Sequence, residues 1–191
     1  MAQGAALIVI DMLNRYEHED AGALGESVRE TVPAMAAVIE DAGRLGLPIV
    51  FVNDNYGEWG SGPHELCERA LGGSNRDLVE PVLPPPGAAF VSKARHSIFY
   101  ETALDYLLRS GAIERLLLIG QVTEQCVLYS ALDAHVRHYE VTVVRDAVAH
   151  IHADLAAAAL RMMELNMGAE IAEAGSLRTA AGRSFAATPR G

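Results

Sequence analysis

Cys126 lies at the end of the turn Gly120-Gln121-Val122-Thr123-Glu124-Gln125-Cys126. Lys93 closes the stretch Ala88-Ala89-Phe90-Val91-Ser92-Lys93, and Asp11 closes Ala5-Ala6-Leu7-Ile8-Val9-Ile10-Asp11. A thiol, an ammonium and a carboxylate are sufficient for nucleophilic acyl chemistry. A thiolate attacks a carbonyl carbon when it is deprotonated and aimed. A nearby ammonium favours the thiolate by charge, and a carboxylate can take the thiol proton and later give it to a leaving amine. The negative oxygen of the tetrahedral intermediate needs donors, and backbone N–H groups at a helix start, those of Thr123 or Cys126, are candidates. Water then hydrolyses the thioester, with no cofactor required. By residue type alone, however, a free cysteine is more often core filler, and polar residues often end a strand because the chain is leaving the core. The choice depends on the elements that carry these residues.

Leu116-Leu117-Leu118-Ile119 is too short and too continuous for an amphipathic helix and reads as a strand buried on both faces. Val127 to Ala134 has helical spacing. Gly120 permits the backbone turn and Thr123 is a good N-cap type, which puts Cys126 in the first helical turn, where the macrodipole favours thiolate. Ala5 to Ile10 is a second doubly buried strand. A helical pattern runs from about Gly22 to Leu45, with Val28, Val32, Met35, Val38, Ile39 and Ala42 on one face. Leu47 to Val52 forms the next strand and leads into the polar, glycine-rich loop 53–63. A short helix is expected around His64–Leu71, then an extended connection marked by Pro81 and Pro84-Pro85-Pro86. Ala88 to Lys93 is a strand, Glu101 to Ser110 a helix, and the cysteine helix runs to about His138. Glu140 to Asp146 is a strand, Asp154 to Met167 a helix, and Ala169 to Ala172 a weak strand. The tail from about residue 175 is small and polar and reads as loosely attached.

Strands alternating with helices predict a three-layer α/β/α domain over residues 1–191, with a mainly parallel, doubly wound six-stranded sheet. In such sheets ligands bind beyond the C-terminal strand ends. Asp11, Asn53 and Asp54, Lys93, the Cys126 turn and Asp146 all fall on that rim. Departure from the core explains Asp54 and Asp146 well. It explains Asp11 less well, because that carboxylate directly closes an unbroken apolar strand.

The chain has 191 residues, half of them hydrophobic and 21% charged, with net charge −10. That length supports one domain with a sizeable core. The acidic balance and the lack of any Lys/Arg-rich run argue against nucleic acid or anionic membrane as partner. No secretory signal or membrane span is expected. Two cysteines, Cys67 and Cys126, make neither a disulfide framework nor a zinc site, so a reducing cytoplasm is the expected compartment. Cys67 reads as core filler.

The segments Asp11-Met12-Leu13-Asn14-Arg15-Tyr16, Lys93, Gly120 to Val127 and Ala131-Leu132-Asp133-Ala134 closely resemble the isochorismatase-like cysteine hydrolases. That group includes nicotinamidases and N-carbamoylsarcosine amidohydrolases. The resemblance covers about Ala6 to Ala172. It implies an Asp11–Lys93–Cys126 catalytic triad and a cis peptide at Val122–Thr123 aiming an amide into the oxyanion hole, which Val122, Thr123 and Cys126 would form. It also implies a homodimer or homotetramer. Asn14 and Tyr16 match loop positions of the family, Tyr16 where an aromatic commonly lines the pocket. With Asn55, Tyr56 and Trp59 of the second loop they make the expected substrate-binding set, although Trp59 reads equally well as a packing anchor. Metal-binding nicotinamidases carry an aspartate–X–histidine pattern after the second strand. Here Asp54-Asn55-Tyr56 stands there, so no metal is expected and nicotinamide is a doubtful substrate. True isochorismatases generally lack the cysteine.

The leading expectation is a metal-independent cysteine hydrolase cleaving a C–N bond of a small amide, carbamoyl or ureido compound. The alternatives are a vinyl ether or ester hydrolase, or a non-catalytic binding protein, on the same fold. A redox-sensing thiol lacks a resolving cysteine close in sequence. A nucleotide site lacks a G-x-G-x-x-G or P-loop after the first strand. Ser97 and His96 are adjacent and so poorly placed for a Ser–His hydrolase. His150 and His152 read as solvated rather than as a metal pair.

Overall fold

A computed structural model describes residues 4–176, so most of the tail expected from about 175 lies outside the described residues. Six strands, β1 (Ala5–Ile10), β2 (Ile49–Asp54), β3 (Ala89–Lys93), β4 (Arg115–Gln121), β5 (Glu140–Ala149) and β6 (Glu170–Ala172), form one sheet in the order β3-β2-β1-β4-β5-β6, with every pairing parallel. Among the described residues, α-helices α1 (Ala21–Arg44), α2 (Pro63–Leu71), α3 (Arg76–Val79), α4 (Leu104–Ser110), α5 (Leu128–Val136) and α6 (Ala153–Met167) cover it. The order of the strands reverses at β1, whose neighbours are β2 and β4. A crevice therefore opens beyond the ends of β1 and β4.

Strand alternation divides the core in two. Ala5, Leu7 and Val9 of β1 pack on the face covered by α1, α2 and α3. Ala6, Ile8 and Ile10 pack on the opposite face with α4, α5 and α6. All six are essentially inaccessible, which is why β1 reads as an unbroken apolar run. Helix α1 lays Val28, Val32, Met35, Val38, Ile39 and Ala42 into the first core, as its spacing predicts. Each fully buried large side chain there, Val28 or Met35, contributes about 1.5–3 kcal/mol.

Several boundaries differ from the sequence reading. β2 starts at Ile49 and runs on through Asp54, because Asn53 and Asp54 pair with Ser92 and Lys93. The expected extended connection contains α3 and a 3₁₀ turn at Glu80–Val82 that bury Leu78, Val79 and Val82. β5 continues to Ala149, because its register against β4 shifts between Leu118 and Gly120. That irregularity absorbs Arg145 and Asp146, both exposed, and Asp146 accepts a hydrogen bond from the Ala174 N–H (2.8 Å) instead of standing on the rim.

Gly120 sits at φ +118°, and a Cβ there would lie 2.2 Å from the Ile10 carbonyl oxygen. Only glycine lets β4 approach the end of β1 this closely. The two strand ends that carry Asp11 and the Cys126 turn are thereby held side by side.

Candidate active site

Asp11 is the first residue beyond β1. Its backbone takes φ +56°, a left-handed conformation that aspartate tolerates better than most residues, and its N–H donates to the Val52 carbonyl (2.9 Å). The turn swings the carboxylate over the end of β2, where Oδ1 accepts the Asp54 N–H (2.8 Å). Lys93, at the end of β3, reaches back across β2 and places Nζ 2.8 Å from Asp11 Oδ2 and 3.8 Å from Asp54 Oδ2. The same Nζ lies 3.6 Å from Cys126 Sγ. The carbonyl of Lys93 accepts the Asn55 N–H (2.9 Å), anchoring the strand end. Asp11, Lys93 and Cys126, which come from three strand ends, thus converge on one point.

Cys126 lies in a π-helical turn, Thr123–Val127, that leads into α5. Thr123 is not its N-cap, a correction to the sequence reading. Val122 takes that place, and the Thr123 hydroxyl donates to the Ala149 carbonyl (2.8 Å), tying the turn to β5. The cis peptide is also displaced by one residue from expectation: it joins Gln121 to Val122. The Val122 carbonyl accepts N–H groups from Gln125 (3.0 Å) and Val127 (3.1 Å), so the turn begins at Val122. Gln121 is locked beneath, its Nε2 donating to the Asp11 carbonyl (2.6 Å) and its Oε1 accepting from the Tyr16 hydroxyl (3.3 Å).

The three groups are buried, with relative exposures of 7% for Asp11, 3% for Lys93 and 8% for Cys126. Burial, and after it the Asp11 charge, push the Cys126 thiol up to about 12, while Lys93 pulls the other way. Burial raises the Asp11 carboxyl against the opposing pull of Lys93. For Lys93 burial works against the ammonium, but the charges of Asp11, Cys126 and Asp54 outweigh it and hold the group above its ordinary value. The resting site therefore carries a protonated thiol beside the Lys93 ammonium. This differs from the thiolate expected of a helix start, because burial outweighs the ammonium.

Around Cys126 opens a cavity of about 370 Å³. Asn14 and Tyr56 of the expected substrate-binding set line it. The other three do not. Tyr16 is 4% exposed and packs in the core, its hydroxyl spent on Gln121. Asn55 is buried and its Oδ1 accepts the Gly57 N–H (3.0 Å), shaping the second loop. Trp59 is 81% exposed and is not among the residues lining the cavity. These three stand outside the lining of this cavity.

Sequence reasoning passed over several lining residues. His96 places Nδ1 3.7 Å from Cys126 Sγ. The neighbouring Ser97 hydroxyl donates to Asp133 and takes no part in a Ser–His pair. Asp54 reads as a plain strand end in the sequence, yet it joins the Lys93 cluster. Glu124 holds the N–H groups of Ile151 (3.0 Å) and His152 (2.7 Å) on Oε1, and so fixes the loop that carries Ile151 into the cavity. Nothing in the local sequence signals that pairing. His150 contacts Ser27 Oγ through Nδ1 (3.0 Å), and among the described residues no three His, Cys, Asp or Glu side chains group so as to hold a metal ion. No helix among the described residues is long and apolar enough to cross a membrane.

Comparison with known proteins agrees with this architecture. The Isochorismatase domain family matches residues 5–176. The uncharacterized isochorismatase family protein YaaI of Bacillus subtilis (strain 168) is 31% identical over 166 residues, covering 87% of this chain and 92% of that one. The ureidoacrylate amidohydrolase RutB of Enterobacter sp. (strain 638) is 31% identical over 172 residues, covering 76% of this chain and 75% of that one. Among solved structures, the N-carbamoylsarcosine amidase of Thermoplasma acidophilum superposes with a TM-score of 0.70 at 30% identity, over 90% of this chain and 97% of that one. The chain belongs to the isochorismatase family.

Proposed function

We propose that this member of the isochorismatase family is a cysteine amidohydrolase, cleaving a C–N bond of a small amide, carbamoyl or ureido compound through a thioester on Cys126. One observation carries the reading: the Asp11 carboxylate and the Lys93 ammonium, 2.8 Å apart, meet the Cys126 sulfur at the floor of a single cavity. The amidohydrolase relatives support the reaction class.

In the proposed reaction the Cys126 thiol gives its proton to Asp11 as sulfur bonds to the substrate carbonyl carbon. A thiol pushed up to about 12 keeps its proton until substrate arrives, which makes a base in contact with it a requirement. Lys93 holds the Asp11 carboxylate in place and favours the forming thiolate by charge. We assign the oxyanion to backbone N–H groups of the turn containing Val122, Thr123 and Cys126. Asp11 then returns the proton to the departing nitrogen, the C–N bond breaks, and ammonia or an amine leaves an acyl-thioester. Water adds to that thioester, passing a proton to Asp11. Cleavage of the C–S bond releases the acid, and the thiol regains its proton.

Ammonia release from a panel of small amides, carbamoyl compounds and ureides tests the reading. Wild-type protein is expected to turn over at least one class, with Cys126→Ala and Cys126→Ser inactive but folded by circular dichroism. Wild-type turnover by Cys126→Ala overturns it. We further propose that the reaction is independent of metal and that the chain works as a homodimer or homotetramer. Activity that survives dialysis against a chelator, and a sedimentation mass of two or four chains, are the corresponding expectations.

A further inference from the structure

We infer that the Cys126 cavity selects against anionic substrates and takes a small amide that is uncharged or cationic. This deepens the proposed reading of Cys126 as nucleophile and rests on it.

The inference follows from the charges that line the cavity. Asp11, Asp54 and Asp20 contribute three carboxylates, and Lys93 is the only lysine or arginine among the described lining residues. Lys93 is already engaged, 2.8 Å from Asp11 and 3.8 Å from Asp54, with its side chain 1% exposed. A substrate carboxylate would find that ammonium neutralised and screened from it by the two aspartates. Asp20 stands at the start of α1 as an exposed side chain that makes no side-chain cap hydrogen bond to that helix. His18 and His96 also line the wall and add positive charge only when protonated.

An adjoining cavity of about 300 Å³ shares Asn14, His18 and Tyr56 with the first and contains two arginines. Both are partnered: Arg15 lies 2.9 Å from a Glu17 carboxylate oxygen, and Arg69 pairs with Glu58. The lining of these two cavities therefore includes no guanidinium or ammonium without an acidic partner. Like charge around the cavity mouth repels an incoming anion at low ionic strength, and added salt screens that repulsion.

Cys126 can report the charge of its own cavity without knowledge of the substrate. Iodoacetamide is neutral and iodoacetate is an anion of the same length. Their alkylation rates at Cys126, resolved from Cys67 by peptide mass mapping, are compared with those at the small thiol 2-mercaptoethanol. The ratio of iodoacetamide to iodoacetate rates at Cys126 is expected to exceed the 2-mercaptoethanol ratio at least tenfold at low salt, and to shrink as sodium chloride is added. Asp20→Lys should lower the ratio at least threefold, with Asp20→Asn between; any change in thiolate fraction affects both reagents and cancels in the ratio. A Cys126 ratio at or below that of 2-mercaptoethanol overturns the inference, as does failure of both reagents to reach Cys126. Ammonia release by wild type and Cys126→Ala scores the hydrolase reading separately, so either can fail alone.

Discussion

Lys93 Nζ lies 2.8 Å from Asp11 Oδ2, with both residues under a tenth exposed and standing on strand ends separated by β2. A buried pair of this kind adds little net stability over an apolar substitute, but removing one partner strands the other charge. Lys93→Met should therefore destabilise the fold by about 3–5 kcal/mol, measured by urea denaturation. Adding Asp11→Asn should recover much of that loss, since the two sites are in contact and their effects couple. Additive losses in the double variant would show that the pair is not coupled.

Asp11→Asn keeps the size of the side chain and its acceptor oxygen for the Asp54 N–H but removes the base. Turnover should fall by roughly a hundredfold or more, the scale of a positioned acid–base group. If Asp11 and Cys126 act as one unit, adding Asp11→Asn to Cys126→Ala should cost almost nothing further. Steady-state rates of the two singles and the double decide the point.

The thiol sets a pH dependence. Its value in the folded protein, about 12, is raised above the usual 9.0, so the group holds its proton through neutral pH and loses it only as pH climbs. The stability it contributes is complete below about 9 and is lost as pH rises toward 12. Alkylation of Cys126 by iodoacetamide in the free protein should accelerate with a midpoint above the usual thiol range of about 8–9. Lys93→Met removes the ammonium that pulls the value down, so at any fixed pH it should slow alkylation further. A midpoint near neutrality would contradict the protonated resting state.

Gly120→Ala would drive a Cβ to within 2.2 Å of the Ile10 carbonyl oxygen, at a φ of +118° that side chains rarely adopt. The change should cost at least ~3 kcal/mol and shift the unfolding midpoint accordingly. Its effect on activity should exceed its effect on stability, because the strained neighbours are the two strand ends that present Asp11 and Cys126. Gly46→Ala is a control. It also has positive φ, but nothing lies within 4 Å of its Cβ position, so it should cost less and leave turnover intact.

The alternation of apolar strands and helices was legible in the chain because β1 and the Leu116–Ile119 stretch of β4 are buried on both faces and carry no polar residues. Asp11 and the Cys126 turn follow doubly buried strands, Lys93 ends the partly exposed edge strand β3, and parallel topology sends all those ends to one rim. Tertiary structure decided what surrounds them. Asp54 joins the Lys93 cluster because β2 runs two residues further than its hydrophobic stretch, held by pairing with β3. Tyr16 turns inward because Gln121, 105 residues away, accepts its hydroxyl, and Glu124 finds its partners at Ile151 and His152 across the sheet. The protonated state of Cys126 likewise depends on burial by residues remote in sequence. Strand periodicity is a local property of the chain, whereas cavity walls, partner choice and desolvation arise only when distant segments pack together.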